Sequence, residues 1–144
     1  MSYVITIEGH VYNIAANLLE KDDLNVSYNT ATAIEISDAD FLKVKKNIAE
    51  ITISGDTATI TDLGEAITFI DEVSLKNYID ILLWKITAFI DAGNTSKILF
   101  SDINNYKNNL ENLDLSTITF PLNSSWEQYC ETNSITYLHL LQIP

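Results

Sequence analysis

Few residues of this chain are of a type that does chemistry. One cysteine, Cys130, and two histidines, His10 and His139, are the candidates for a nucleophile and its base, and the histidines stand near opposite ends of the sequence. Nucleophilic catalysis needs a Ser or Cys beside an oriented base. His10 falls in a turn pattern and His139 in a strand pattern, neither of which supplies that setting. The same residues are too few for the ligand spacings of a zinc site. Glycine occurs only at 9, 55, 64 and 93, so no phosphate-cradling loop can be built. Carboxylates are plentiful, but paired-acid hydrolysis needs two that are set apart by their surroundings, and no pair is. The expectation is a protein without catalytic residues, metal or cofactor.

The segment "ITISGDTATITD", residues 51 to 62, is the one place where oxygen ligands gather. A calcium loop sets them at alternating positions and closes with Glu, and Asp56, Thr57, Thr59 and Asp62 lack that spacing. A hairpin explains the segment better. Gly55-Asp56 suits a type II′ turn, and it pairs Ile53 with Ala58, Thr52 with Thr59 and Ile51 with Ile60, so apolar residues share one face and threonines the other.

Charge narrows the partners. The 144 residues carry 20 Asp and Glu against 8 Lys and no Arg, a net charge of −12. Nucleic-acid and phosphate recognition rely on basic, usually Arg-rich surfaces, so those partners are excluded, as are anionic membranes. The acids are spread from Glu8 to Glu131 rather than blocked together. They read as a solvated surface, with mimicry of nucleic acid in a basic groove as the alternative. No basic and apolar leader opens the chain and no apolar run reaches the roughly 18 residues of a membrane span, which predicts a soluble protein not secreted by a signal peptide.

The remaining pattern predicts a single α+β domain over 1–144, with two-residue-turn β-hairpins packed on about four helices. An N-terminal hairpin turns at Gly9-His10, with Ile7 opposite Tyr12 and Ile5 opposite Ile14. "TAIEI" is a strand. Ser37 caps a helix over 38–49 whose Phe41, Val44 and Ile48 face the core. Ser74 caps the longest helix, over 75–92, which carries a stripe of Leu75, Ile79, Leu82, Ile86 and Phe89 and stops at Gly93. Ser101 opens a helix with Ile103, Tyr106, Leu110 and Leu113 inward. "STITF" is a strand, and Ser124 with Glu127 and Ser125 with Gln128 form overlapping capping boxes before a short helix that buries Cys130. The pattern Asn-Val-Ser at 25 to 27 matches a glycosylation acceptor, one that carries no weight without a leader.

Two features stand out as partner-binding candidates. Trp84 lies among Lys76, Asp80, Thr87 and Asp91, opposite the core stripe of its helix, so it is either covered by a hairpin or the C-terminal segment, or it anchors a partner. The last residues, 135–144, read as a strand apolar on both sides, with Tyr137, Leu141 and Ile143 on one face and Leu138 and Leu140 on the other. They form either a central strand of the domain or an arm that packs on another subunit.

The block "SDADFLKVKKNIAEITISGDTATITD" and the tail "ITFPLNSSWEQYCETNSITYLHLLQIP" resemble segments of small acidic virion or tail-associated proteins of tailed bacteriophages, particularly those of cyanobacteria. The likeness covers about half of the chain and is one of style rather than of an invariant motif; Gly-rich repeats and a coiled coil, expected of a fibre, are lacking. It implies a minor structural or assembly role in a particle, with other protein subunits or further copies of the chain as partners. An acidic inhibitor that fills a basic groove of a host protein is the alternative.

Overall fold

The computed structural model describes residues 1–25, 31–64 and 68–143. Its fold is α+β. Strands β1 (Ser2–Ile7), β2 (His10–Ala15) and β3 (Ala31–Ile36) form an antiparallel sheet in the order β2-β1-β3. Helix α1 (Leu18–Asn25) precedes β3, and α2 (Asp38–Lys45) follows it. A second hairpin of β4 (Ala49–Ser54) and β5 (Thr57–Asp62) leads to the helical half: α3 (Glu72–Asp91), α4 (Phe100–Glu111) and α5 (Trp126–Thr132).

Both edges of the central strand β1 are paired, and both of its faces are covered by other elements. Val4 joins Ile14, Ile36, Phe41, Val44 and Ala49 in one apolar cluster, against which the isoleucines of β4 and β5 pack. Its neighbour Ile5, pointing the other way, meets Ala15 and Leu24 of α1. The second hairpin has the expected register, with Ile53 opposite Ala58, Thr52 opposite Thr59 and Ile51 opposite Ile60. Gly55 takes a φ of 58° there, as the first position of a type II′ turn requires.

The first hairpin departs from expectation. Its turn is Glu8-Gly9, both in the left-handed region at φ 53° and 79°, the type I′ combination, rather than Gly9-His10. A bulge then leaves Tyr12 extra on β2, and Ile14 pairs with Val4 instead of Ile5. That shift places two fully buried side chains together.

Helix termini differ in similar small ways. Ser37 does cap α2, accepting from the Asp40 N–H at 3.1 Å. The helix ends early, because Asn47 turns left-handed at φ 57° and the Ile48 N–H reaches back to the Lys43 carbonyl, a Schellman stop that takes Ile48 off the helix face. For α3 the cap is Asp71, with Ser74 completing the capping box as its third helical residue. Helix α4 begins at Phe100 without a side-chain cap, so Ser101 lies inside it. Ser125, not Ser124, caps α5. Helix α1 was not expected from the pattern. Its start is held by Asn17, which accepts from the Glu20 N–H, and by Glu20, which accepts from the Ala16 N–H.

Residues 116–120 are not a strand: Asp114 accepts from the Ser116 N–H and caps a single 3-10 turn, Leu115–Thr117, satisfying the backbone locally. Of the acceptor pattern at 25 to 27, residues 26 and 27 lie outside the described residues.

The core stripe of α3 is as predicted, with Leu75, Ile79, Leu82, Ile86 and Phe89 all buried. It packs on Ile103, Tyr106 and Leu110 of α4 and on Trp126 and Cys130 of α5. The sheet and helical halves are tied by polar bonds. The Ser125 hydroxyl donates to the Lys46 carbonyl, Lys97 Nζ donates to the Asp23 carbonyl at 2.6 Å, and Lys46 pairs with Glu131 at 3.3 Å.

Candidate functional site

Three places could carry a function: a buried polar cluster, a cleft between the two halves, and the outer face of α3.

The cluster centres on Glu127, the second residue of α5, which is fully buried. With Ser125 taking the cap, Glu127 turns inward instead of closing the expected box with Ser124. Tyr78 of α3 donates its hydroxyl hydrogen to Glu127 Oε1, while Oε2 has no hydrogen-bond partner among the described residues. Burial pushes the carboxyl above its ordinary range, opposed in part by Tyr78, its own backbone and Asn47. Burial also raises the Tyr78 and Cys130 hydroxyl and thiol, each helped by the nearby acid. Cys130 is therefore held as a thiol away from solvent, and His139 does not reach it as a base. Trp126 Nε1 donates to the Tyr106 hydroxyl at 2.9 Å, closing the polar edge of the core.

His139 sits at the junction of the halves. Its Nδ1 accepts from the Leu141 N–H at 3.0 Å and its Nε2 lies 3.4 Å from Asn47 Oδ1, an arrangement of neutral imidazole. Burial, with Lys85 nearby, lowers its pKa to about 4. His139 is thus the cap of a 3-10 turn, Leu140–Gln142, rather than a strand residue.

The C-terminal segment is correspondingly not a strand. Tyr137, Leu138 and Ile143 are buried in the helical core, with Leu140 packed against it, and Leu141 packs on the sheet cluster instead. Asn13 donates to the Leu141 carbonyl at 2.9 Å and Lys85 to the Leu140 carbonyl at 2.9 Å. These five residues, offered by the sequence as partner contacts, are spent inside their own chain. Apolarity on both faces signalled burial correctly, and the polar bonds that tie the segment down run from distant side chains, Asn13 and Lys85, to its backbone carbonyls, which the pattern does not show.

The cleft, of about 470 Å³, lies where α2 and α4 approach the segment after α5. Phe41, Leu99 and Leu138 give it an apolar wall and Glu20, Asp102 and Glu131 an acidic rim. Lys45 reaches across it to lie 5.0 Å from the centre of the Tyr137 ring, whose hydroxyl donates to Glu131 Oε2 at 2.7 Å. Lys45, Tyr137 and Glu131 are thus engaged with one another. Among the described residues, no group of three His, Cys, Asp or Glu is placed to hold a metal ion.

On α3 the outcome is different. Val73, Asn77, Ile81, Trp84 and Ala88 recur at helical spacing on the side away from the core stripe. Val73 is 64% exposed, Ile81 56% and Trp84 74%. Neither the hairpins nor the C-terminal segment covers Trp84. On the α4 side of this ridge, past the Lys76–Asp80 ion pair, lies a groove of about 340 Å³ between α3 and α4, lined by Leu83, Leu110, Leu113 and Leu115 and edged by Lys76, Asp80 and Glu111. A soluble domain scatters single apolar residues over its surface without consequence; here three large ones, Val73, Ile81 and Trp84, line up along one helix face.

No known protein family, characterised protein or solved structure matches this chain. No helix among the described residues is long and apolar enough to cross a membrane.

Proposed function

We propose that this chain is a non-catalytic interaction component, a minor virion or tail assembly protein of a tailed bacteriophage that works by presenting apolar contact area to other protein subunits. The observation that supports this reading is the outer face of α3, where Trp84 is 74% exposed in line with Ile81 and Val73. The resemblance of the 37–62 block and the tail to phage virion proteins supplies the setting. The candidates for chemistry point away from catalysis: Cys130 and Glu127 are sealed in the core and His139 caps a turn.

The test is whether the chain is part of a particle. Mass spectrometry of purified particles of the encoding phage should find it, and a photo-crosslinking residue at position 84 should join it to a particle subunit, whereas one at the exposed Thr59 should not. Absence of the chain from particles sinks the reading. The net charge of −12 favours the second reading, an acidic inhibitor on a basic groove. Binding of that kind falls steeply with added salt, while an apolar assembly contact persists.

A further inference from the structure

We infer that the outer face of α3, with the groove beside it, docks an amphipathic helix of another protein whose apolar side carries large aliphatic residues and whose flanks are basic. This deepens the interaction reading above and rests on it.

The occupant's shape follows from the host's backbone. Every peptide group in the middle of α3 is already bonded within the helix, so an extended segment laid on this face would gain no ladder bonds and would leave its own polar backbone unpaired. A helix brings its backbone already satisfied and docks through side chains. The ridge from Val73 to Ala88 is about 22 Å long at 1.5 Å per residue, the length of about four helical turns. It also has relief: Ile81 and Trp84 stand out, the shorter Asn77 and Ala88 lie on either side of them, and the 340 Å³ groove offers a slot for a Leu-sized side chain.

Charge selects the flanks and argues against a second copy as occupant. Asp80 and Asp91 border the ridge, Glu111 rims the groove, and Asp114 stands between the groove residues Leu113 and Leu115. Lys76 pairs with Asp80 at 3.0 Å and Lys107 with Glu111 at 3.1 Å, whereas among the described residues no lysine pairs with Asp91 or Asp114. Asp114 is held ionised by bonds from the Ser116 hydroxyl and N–H. Two copies meeting antiparallel about the middle of this ridge would set Asp80 against its own equivalent, and two meeting parallel would do so for Asp80 and Asp91 alike, under a charge of −12 on each chain. Lysines or arginines beside the partner's apolar stripe meet the same carboxylates favourably.

The probe is a synthetic Leu/Lys amphipathic helical peptide of about 18 residues, titrated into the full chain while Trp emission is followed. A Leu/Glu peptide with the same apolar face, a scrambled Leu/Lys peptide and the sizing of the chain alone are run beside it. The Leu/Lys peptide should bind and shift the exposed Trp84 emission to the blue. Ile81→Asp should weaken that binding at least about tenfold, although it adds negative charge that would strengthen capture by charge alone. Equal binding of the scrambled peptide, or of the Leu/Glu peptide, overturns the inference. So does failure of all three peptides, and so does self-association that Ile81→Asp abolishes. The last two leave the interaction reading to be decided separately by crosslinking at position 84.

Discussion

Tyr78 on α3 donates its hydroxyl hydrogen to Glu127 Oε1 on α5, and the second oxygen of that buried carboxyl has no hydrogen-bond partner among the described residues. The pair joins two helices through a carboxyl that burial biases toward its protonated form, because ionising it would place charge where water does not reach.

A pH dependence of stability follows. The unfolded chain ionises this carboxyl near the ordinary 4.5 and the folded chain holds its proton to higher pH. Between the two values the folded state binds more protons, so stability falls as pH rises through that window and stays lower above it. Glu127→Gln, which keeps an acceptor for Tyr78 and cannot ionise, should flatten that limb and gain on the order of 1 kcal/mol at about pH 8. Urea melts of both proteins from about pH 5 to about pH 8 measure it, and an unchanged slope refutes the assignment.

His139 works in the opposite direction. Its folded pKa of about 4 lies below the ordinary 6.5, so the unfolded chain takes up a proton first as pH falls, and stability is lost between those values. Protonating Nδ1 also breaks the bond from the Leu141 N–H that closes the terminal turn. His139→Asn, which can still cap, should lose less stability than the natural chain on going from about pH 7 to about pH 4.5. The difference should be up to roughly 3 kcal/mol, the worth of the two-unit-plus shift. Parallel acid limbs for the two proteins in thermal melts would count against this.

How far these sites could be read from the sequence depended on whether they rest on side-chain periodicity. The α3 stripe, the Gly55-Asp56 hairpin and the burial of Cys130 follow from spacing and turn chemistry, and the structure has all three. The Glu8-Gly9 turn was misjudged by one residue because Gly is acceptable at either central position, and the bulge that buries Val4 against Ile14 resolves the choice only in three dimensions. Glu127 was read as a capping residue because Ser124 and Ser125 compete for the same role; which serine wins depends on the Lys46 carbonyl that Ser125 reaches, far away in sequence. The exposed side of α3 was legible in Trp84 alone. Val73 and Ile81 extend it at helical spacing, a second apolar stripe that the stronger core stripe on the opposite face overshadows in the pattern.

Removing residues 135–144 should abolish cooperative folding rather than merely weaken association. The cut takes Leu138 and Ile143 out of the helical core and breaks the Asn13 and Lys85 bonds that join it to the rest. Losing several buried aliphatic side chains costs more than the roughly 5 to 15 kcal/mol that holds a domain together. A truncated chain with sharp melting and dispersed amide resonances would show that the segment is an appendage after all.

The two tryptophans should separate contact surface from core. Trp84 is 74% exposed and Trp126 1% exposed, with its ring stacked on Tyr129 at 5.5 Å and its N–H bonded to Tyr106. Trp84→Ala removes apolar area that water already wets and should change stability by less than about 0.5 kcal/mol. Trp126→Ala leaves a cavity and an unpaired hydroxyl and should cost about 3 to 5 kcal/mol. Chemical denaturation gives both values, and emission gives an independent check: the natural chain should show a solvent-quenchable and a protected component, and Trp84→Ala should keep only the protected one. Should Trp84→Ala destabilise the chain as much as Trp126→Ala does, the outer face of α3 would belong to the core, and no partner could be sought there.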